Sequence, residues 1–209
     1  DGKFMGKMSE DDVINVMKEA TKVAYDKGAD TVRGPAEDAS RTDLEYLLTF
    51  ASAATDAGAK RIRYCDTLGA DDPVTIYDRI NKIAKAVKIP IEMHCHNDLG
   101  MAVACSVEGA RGAIDAGVDA YIHATVNAMG ERAGNADLLS VLLALKYSTG
   151  FKGKGLFPDG VDLSKAWKIA NYASYAFKIP LPINQVGVGG NAFAHESGIH
   201  ADGALKNRR

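Results

Sequence analysis

A short pattern recurs three times in the first two thirds of the chain and constrains the fold more than any other feature. Asp26-Lys-Gly28-Ala-Asp30, Asp56-Ala-Gly58-Ala-Lys60 and Asp115-Ala-Gly117-Val-Asp119 each follow a stretch of helical periodicity and precede a short apolar run. Val87-Lys-Ile-Pro90 occupies the same place in one further unit. A glycine just past a helix end, followed by a strand, is typical of a βα unit. The pattern therefore predicts four such units in succession.

Capping signals and periodicity outline the helices and strands of these units. Ser9 is the expected N-cap of the first helix, Ser40 or Thr42 that of the second, and Asp72-Pro73 that of the third. Short connections imply parallel strands with right-handed crossovers. The predicted strands are 31–33, 61–65, 89–96 and 120–126, and two further helices are predicted from about 101 to 116 and from about 136 to 147.

The number of βα units indicates whether the chain can form a whole barrel or only part of one. A closed (β/α)8 barrel needs eight units and roughly 250 residues, whereas this chain has 209 residues and four units. In barrels and in doubly wound sheets alike, chemistry collects beyond the carboxyl ends of the strands. Polar residues follow each predicted strand, as this rule requires: Glu37-Asp38, Asp66-Thr67, the histidines near 95 and Gly130–Asn135.

The segment Glu92-Met-His94-Cys-His96-Asn-Asp98 is the strongest functional signal. Side chains alternate along a strand, so Glu92, His94 and His96 are expected on one face. Two imidazoles spaced in this way can hold a divalent cation, and the carboxylate can orient a ligand or act as a base. Two histidines on one strand can also be ordinary core residues. The polar turn Asn97-Asp-Leu-Gly100 that follows favours the functional interpretation.

Composition limits the class of partner and the compartment. The formal net charge of −2 gives no reason to expect nucleic acid or an anionic membrane as a partner. No apolar run reaches the ~18 residues that a membrane span needs. Cys65, Cys95 and Cys105 are an odd, widely spaced set, which favours a reducing, cytoplasmic setting.

Three motifs together resemble one enzyme family. Glu92–Gly100, Thr125–Asn135 and His195–Gly203 are similar, in this order, to the homocitrate synthase/2-isopropylmalate synthase family of metal-dependent, Claisen-condensing TIM barrels. The resemblance covers nearly the whole chain. It implies condensation of acetyl-CoA with a 2-oxoacid, with a divalent cation (zinc, manganese or magnesium) as cofactor, and a homodimer when the protein is full length.

The resemblance also implies an α/β fold and a division of the chain. Residues 1–150 would form a partial TIM-barrel catalytic domain, the C-terminal half with about four βα units equivalent to strands 5–8. Residues 151–209 would form a linker and the start of a helical and extended C-terminal subdomain, with an extended, mobile segment at Pro180–Gly190. Strands 1–4, with a metal-binding aspartate and a catalytic arginine, are expected upstream, so this chain by itself is expected to be inactive.

Site residues are carried over position by position. The resemblance implies His94 and His96 as metal ligands, with Asn135 in or near the coordination shell. His200 corresponds to a histidine implicated in proton transfer, contributed by a neighbouring subunit, and an imidazole suits such a role near neutral pH. Glu92 is the second acid or base candidate. His195 and His123 are expected to be structural.

The substrate is expected to be a dicarboxylate. Arg33 and Glu37 lie on one face by alternation, and an inward arginine can pair bidentately with a second carboxylate. Thr67 corresponds to a threonine that contacts the substrate carboxylate. Because homocitrate synthases are similar at these positions, we favour 2-oxoglutarate as substrate and homocitrate as product. Arg33 could instead be a structural partner of Glu37, and Pro35 departs from the serine of the family pattern.

Other functions remain open at this point. A 2-isopropylmalate or citramalate synthase would share the motifs. A metal-dependent lyase or aldolase of the same barrel would share the histidine pair, but would not be expected to share His195–Gly203. A pyruvate carboxyltransferase would need a lysine on a barrel strand, and none is found. A scaffold protein would leave the inward-facing histidines, glutamates and arginine without a purpose.

Overall fold

The structure is a computed structural model that describes residues 8–206. It contains one parallel sheet with helices along its outer face. The strands are β1 (Arg33–Ala36), β2 (Arg61–Asp66), β3 (Ile91–Cys95) and β4 (Ala120–Ile122). The helices are α1 (Glu10–Asp26), α2 (Leu44–Asp56), α3 (Pro73–Val87), α4 (Ala102–Asp115), α5 (Leu138–Tyr147), α6 (Ala166–Phe177) and α7 (Gly198–Lys206), with 3-10 turns at Ala39–Arg41, Val126–Ala128 and Leu163–Lys165.

The sheet follows the order of the chain. The strand order is β1-β2-β3-β4, and every neighbouring pair is parallel. Register places Arg63 beside Glu92 and Cys65 beside His94. This run of sequential βα units is the arrangement of half a (β/α)8 barrel, which confirms the predicted fold class.

Local capping explains where the helices begin. Ser9 and Asp12 form a capping box at the start of α1, and the side chain of Asp72 accepts the first amides of α3, with Pro73 at the first position. The prediction of Ser40 or Thr42 as the cap of α2 is wrong. Residues Ala39–Arg41 form a separate 3-10 turn, and Asp43 caps α2 by accepting from the amides of Glu45 and Tyr46.

The outer face of the sheet carries the apolar core. Side chains that alternate along β2 and β3 pack against α2, α3 and α4, and they are almost completely buried. At β1 the packing is so close that a Cβ on Gly34 would lie 2.7 Å from the Cβ of Ala54 in α2. The main members of this core are Ile62, Tyr64, Ile91, Met93 and Cys95 from the sheet and Leu47, Phe50, Ile76, Ile80 and Ile83 from the helices.

One buried polar pair interrupts this outer face. The hydroxyl of Tyr64 donates to Oδ2 of Asp71 at 2.7 Å. Burial, followed by the charges of Asp66 and Asp72, raises the pKa of Asp71 to about 6, although the Tyr64 hydrogen bond and Arg79 oppose the shift. Asp71 is therefore a buried carboxyl group whose ionised form the fold disfavours.

Strand boundaries differ from the sequence prediction at both edges of the sheet. The first strand was expected at 31–33 but is Arg33–Ala36, in which Gly34 and Pro35 pair in register with Ile62 and Arg63 of β2. The fourth was expected to reach residue 126 but ends at Ile122. Beyond it the chain forms a 3-10 turn in which Asn127 has a φ of 57°.

The region after residue 150 packs partly on the end of the sheet. The Asn127 amide donates to the carbonyl of Ala170 in α6 at 2.9 Å. Residues 180–190, expected to be extended, instead form a series of turns, with Gly189 N–H bonded to the carbonyl of Gln185 and Val188 buried. No helix within residues 8–206 is long and apolar enough to cross a membrane.

Candidate active site

The inner face of the sheet is charged, in contrast to its apolar outer face. Along β1, Gly34 and Ala36 are buried, whereas Arg33 points away from the helices. The same alternation along β2, β3 and the end of β4 places Arg63, Glu92 and His123 in mutual contact. The inner face of a (β/α)8 barrel is usually filled by branched apolar side chains. A charged cluster at this position therefore indicates a functional site.

Glu92 is the centre of this cluster and is 1% exposed. Arg63 donates to its Oε1 from Nε at 2.8 Å and from Nη2 at 2.7 Å, and Nη1 of Arg33 lies 3.3 Å from the same oxygen. Nε2 of His123 also contacts Oε1. The other oxygen, Oε2, has no hydrogen-bond partner, and Nη1 of Arg61 lies 4.0 Å from it. We call these residues, Arg33, Arg61, Arg63, Glu92 and His123, the inner cluster.

Burial and neighbouring charges determine which side chains of the inner cluster are ionised. Burial alone would raise the pKa of Glu92, but the hydrogen bond from Arg63 and the charges of Arg63 and Arg33 outweigh it and lower the pKa. Burial and the arginine charges lower the pKa of His123 despite the opposing charge of Glu92. The cluster therefore combines three guanidinium groups with one carboxylate and a neutral imidazole.

The predicted metal ligands lie at the carboxyl end of β3. The rings of His94 and His96 are 5.1 Å apart between centres and meet edge to face at 87°. Burial, followed by the charges of His96, His123 and Arg63, lowers the pKa of His94, which favours the neutral form that binds metals. His96 is buried, and its Nδ1 has no hydrogen-bond partner.

These two imidazoles fit a shared divalent cation. With a metal–nitrogen distance of about 2.0–2.1 Å, two ligating rings with coordination angles between octahedral and tetrahedral have centres roughly 4.5–5.2 Å apart, which includes the observed separation. The orphaned Nδ1 of His96 is a polar atom that a cation would satisfy. Among residues 8–206 no group of three or more His, Cys, Asp or Glu side chains is arranged to hold a metal ion. Within these residues, the two imidazoles therefore fit part of a coordination shell and not a complete one.

Asn135 lies beside this pair of histidines. It forms an isolated antiparallel bridge with His96, and its amide nitrogen is 3.4 Å from the carbonyl oxygen of Cys95. Gly130 makes this position possible, because a Cβ at Gly130 would lie 1.8 Å from Oδ1 of Asn135. The glycine of the Gly130–Asn135 loop thus leaves room for an amide next to the histidines.

The three predicted substrate residues divide into two groups. Thr67 donates to Oε2 of Glu37 at 3.1 Å and accepts from the amide of Asp38 at 2.8 Å. Arg33, in contrast, donates to Glu92. The alternative in which Arg33 is a structural partner of Glu37 therefore does not describe the structure, and Arg33 belongs with the inner cluster.

Arg132 joins the loops that follow three strands. It donates to both carboxylate oxygens of Asp98, at 2.8 and 2.9 Å, and to the carbonyl of Thr67 at 2.6 Å. Its own φ is 53°, a conformation that non-glycine residues rarely adopt. The pair between Nη1 of Arg132 and Oε2 of Glu131 is a weaker contact, at 3.6 Å.

His200 lies apart from the inner cluster. It is an exposed residue of α7, and its ring centre is 6.3 Å from that of His195. Within the described part of the chain, no contact joins it to Glu92, His94 or His96. Its predicted role as a group contributed to a neighbouring subunit remains a prediction.

Sequence reasoning missed three members of the inner cluster. Arg61 and Arg63 alternate along β2 as Glu92 and His94 do along β3, so periodicity could have placed them on the inner face. His123 was expected to be structural, yet its Nδ1 lies 3.3 Å from Nδ1 of His94. An arginine pair on the strand next to an inward glutamate was the available signal.

Comparison with known proteins agrees with this geometry. Residues 3–172 match the family described as HMGL-like. The chain is 56% identical over 206 residues to the citrate (Re)-synthase of Dehalococcoides mccartyi (strain CBDB1), covering 99% of this chain and 50% of that protein. It is 47% identical over 195 residues to 2-isopropylmalate synthase 2 of Caldanaerobacter subterraneus subsp. tengcongensis, covering 93% and 48%. The chain spans about half the length of the curated relatives it matches.

A solved structure supports the fold. The crystal structure of the HMG-CoA lyase of Bacillus subtilis matches with a TM-score of 0.64 at 19% identity, covering 87% of this chain and 60% of that one. Four parallel βα units, the inward histidine pair and the family match lead to one conclusion. The chain belongs to the HMGL-like family, and the relatives it resembles include a citrate (Re)-synthase and a 2-isopropylmalate synthase.

Proposed function

We propose that the protein containing this chain condenses acetyl-CoA with a 2-oxoacid that carries a second carboxylate, first of all oxaloacetate, to give citrate. The observation that carries this proposal is the charge of the inner cluster. Arg33, Arg61 and Arg63 surround the single carboxylate of Glu92, which leaves two positive charges uncompensated among these side chains.

An excess of guanidinium groups on an inner barrel face is suited to a dianionic substrate. Arginine can bind a carboxylate through two parallel hydrogen bonds. Arg63 already donates two hydrogen bonds to Glu92, from Nε and Nη2, although both go to the one oxygen Oε1. Arg33 and Arg61 keep 47% and 35% of their side-chain surface exposed, so their remaining donors are available to a ligand. A monocarboxylate with an apolar tail would leave this charge unmatched.

Glu92 is assigned to orientation and His200 to proton transfer. A carboxylate that arginines hold in its ionised form is a weak base, since its pKa is lowered. It remains a fixed anion that orients the arginines and the neighbouring imidazole. His200 would be contributed by the neighbouring subunit of a homodimer, and Thr67 with Glu37 would contact the substrate at the rim.

A divalent cation completes the proposal. When bound, it would polarise the keto oxygen of the 2-oxoacid and raise the electrophilicity of its keto carbon. His94 and His96 would hold it, with Asn135 beside them. Nitrogen and amide-oxygen donors suit zinc, manganese or magnesium to different degrees. The remaining ligands would come from residues outside those described.

Homocitrate synthesis from 2-oxoglutarate is the second candidate. Arg33 and Glu37 at the first strand favour it by resemblance, whereas the relative at 56% identity is named a citrate synthase. The two substrates differ by one methylene group, which a pocket distinguishes by only about 1–3 kcal/mol. Synthesis of 2-isopropylmalate or citramalate would use 2-oxoacids without a second carboxylate. A lyase is supported only by likeness of fold.

A substrate panel tests this proposal. The intact protein is assayed with acetyl-CoA and manganese against oxaloacetate, 2-oxoglutarate, pyruvate and 2-oxoisovalerate, with release of free CoA as the readout. We expect kcat/KM to be highest for oxaloacetate and higher for both dicarboxylates than for either monocarboxylate. Faster turnover of pyruvate or 2-oxoisovalerate would overturn the proposal.

A matched pair of variants tests whether the inner cluster is responsible for the preference for a dicarboxylate. Arg33→Gln removes one inner guanidinium, whereas Lys82→Gln removes one cation from the exposed surface of α3, where it pairs with Asp78. We expect Arg33→Gln to lower kcat/KM for the dicarboxylate by roughly 10- to 200-fold, as loss of about 1.5–3 kcal/mol of charged hydrogen bonding implies, with little change in Lys82→Gln. Equal effects would show that general electrostatics, and not the inner cluster, attract the substrate.

A further inference from the structure

His123 is the one histidine of the inner face that neither the predicted metal site nor the predicted substrate site includes. It follows β4 and lies between two functional groups. Its Nδ1 is 3.3 Å from Nδ1 of His94, and its Nε2 contacts Oε1 of Glu92. The rings of His94 and His123 meet edge to face, with centres 5.3 Å apart and planes at 81°. Glu92, His123 and His94 thus form an unbroken chain of polar contacts.

The hydrogen bonds in this series of contacts have a fixed direction, because Glu92 can only accept a hydrogen bond. Glu92 accepts from Nε and Nη2 of Arg63 and lies 3.3 Å from Nη1 of Arg33, so it is an ionised carboxylate without a proton to give. Nε2 of His123 must therefore carry the hydrogen in its contact with Oε1. The guanidinium of Arg63, whose Nη2 lies 3.2 Å from Nε2, disfavours a second positive charge on His123, so the ring is neutral and its other nitrogen, Nδ1, is an acceptor. Nδ1 of His94 must then be the donor at 3.3 Å.

A contact between Arg63 and His123 does not reverse the direction of these hydrogen bonds. Nη2 of Arg63 lies 3.2 Å from Nε2 of His123, and a guanidinium can only donate. The same Nη2 is nearer to Oε1 of Glu92, at 2.7 Å, and donates there. Nη2 carries two hydrogens and could serve both acceptors, but a bare Nε2 would then set its lone pair against that of Oε1, with which it is in contact. The arginine and the imidazole therefore both donate to the carboxylate.

We propose that His123 is a positioning residue that fixes the tautomer of His94, so that His94 keeps its hydrogen on Nδ1 and presents a free lone pair on Nε2 to the cation. This inference deepens the proposed function and rests on it for the presence of the cation. A metal-binding histidine commonly donates its other ring N–H to a carboxylate or carbonyl. Here the imidazole of His123 is the acceptor, and its contact with Glu92 determines which of its two ring nitrogens carries the hydrogen.

One consequence concerns Glu92 itself. The carboxylate that balances the arginines also orients a metal ligand two contacts away. A change in the charge of the inner cluster is therefore expected to reach His94 through His123, without direct contact between the arginines and the cation.

Two substitutions separate the two contacts of His123. In His123→Asn, the amide oxygen can occupy the position of Nδ1 and accept from His94, while the contact with Glu92 is lost. In His123→Gln, the longer amide can reach the position of Nε2 and donate to Glu92, while the acceptor for His94 is lost. Both variants remove the imidazole, so a merely structural role would affect them alike.

The decisive measurement is nitrogen-15 NMR of the histidine rings in the intact, metal-free protein, with a His94→Gln sample to assign the signals. We expect His94 of the unsubstituted protein to be protonated on Nδ1 and not on Nε2. His123→Asn should keep this tautomer, and His123→Gln should lose it. A His94 signal protonated on Nε2 in the unsubstituted protein would overturn the inference, and this result does not require either His123 variant to fold.

Metal affinity supplies the second readout. Competition between the protein and a chelator for zinc, and separately for manganese, should show His123→Gln about 10- to 100-fold weaker than the unsubstituted protein, and His123→Asn within about threefold. Equal weakening in both variants would overturn the positioning role. Failure of the substrate panel together with the expected NMR and affinity pattern would remove the proposed reaction and leave this inference standing.

Discussion

The two faces of the four-stranded sheet differ in chemical character: the outer face is apolar and the inner face is charged. On the outer face, Ile62, Met93 and Cys95 are completely or almost completely buried among helices. On the inner face, the alternate positions Arg63 and Glu92 are charged and bonded to each other. One backbone thus carries an apolar core and a polar site that are separated only by the alternation of side chains.

The difference teaches where stability and function come from. Each fully buried apolar side chain of the outer face contributes about 1.5–3 kcal/mol through its removal from water. Burial of Glu92 is unfavourable in itself, and its ionised form depends on the ion pairs with the arginines. The outer face therefore stabilises the fold, whereas the arrangement of the inner face depends on charge balance.

The largest expected effect comes from removing the inner carboxylate. Glu92→Gln keeps the volume but leaves Arg33, Arg61 and Arg63 without their counter-charge, and loss of one partner from a buried ion pair costs about 3–5 kcal/mol. The neighbouring outer-face change Met93→Leu conserves volume and should cost less than about 1.5 kcal/mol. Urea unfolding of the two variants gives both values. Similar costs would show that the two faces do not differ in the way described.

A smaller effect is expected from the charged exception on the outer face. Because the pKa of Asp71 is raised from 3.8 to about 6, folding favours its protonated form. The resulting stability is fully present below pH 3.8 and is lost as the pH rises through 6, and it amounts to roughly 3 kcal/mol, given about 1.4 kcal/mol for each pKa unit.

The variant Asp71→Asn isolates this contribution. It removes the titrating group and keeps an acceptor for the Tyr64 hydroxyl. In urea unfolding from pH 4.5 to 8, the unsubstituted protein should lose stability relative to Asp71→Asn as the pH rises, with the change centred between pH 4 and 6. A constant difference between the two proteins across this range would contradict the raised pKa.

The smallest effect on stability is expected for an exposed ion pair at the rim. Arg132→Ala removes the bidentate contact with Asp98, whose side chain is 27% exposed, and exposed pairs contribute about 0–1 kcal/mol. The exposed pair of Lys82 and Asp78 provides the control through Lys82→Ala. Thermal unfolding at low and high salt should show both differences shrinking as salt increases. A loss above 2 kcal/mol for Arg132→Ala would instead show that this loop contributes to the core.

Much of the fold and part of the candidate site were predictable from the sequence. The Asp-x-Gly repeats marked the helix-to-strand connections, and the caps Ser9 and Asp72 are confirmed. The first strand was misplaced because Pro35 and Gly34 lower strand propensity, although both pair in register with β2. The turns at 180–190 were read as extended because alternating proline and glycine do not specify which carbonyls the amides will reach.

By itself, the sequence determined that Glu92, His94 and His96 share one side of a strand, because the two-residue period of a strand is a local property. Only the tertiary structure decided that Arg63 and His123 would meet Glu92. Those contacts depend on the register between strands that are distant in the chain, with Arg63 beside Glu92 and Met93 beside Ile122. Packing of α2, α3 and α4 against the outer face brings these strands together. A sequence pattern within one segment does not specify the register between strands.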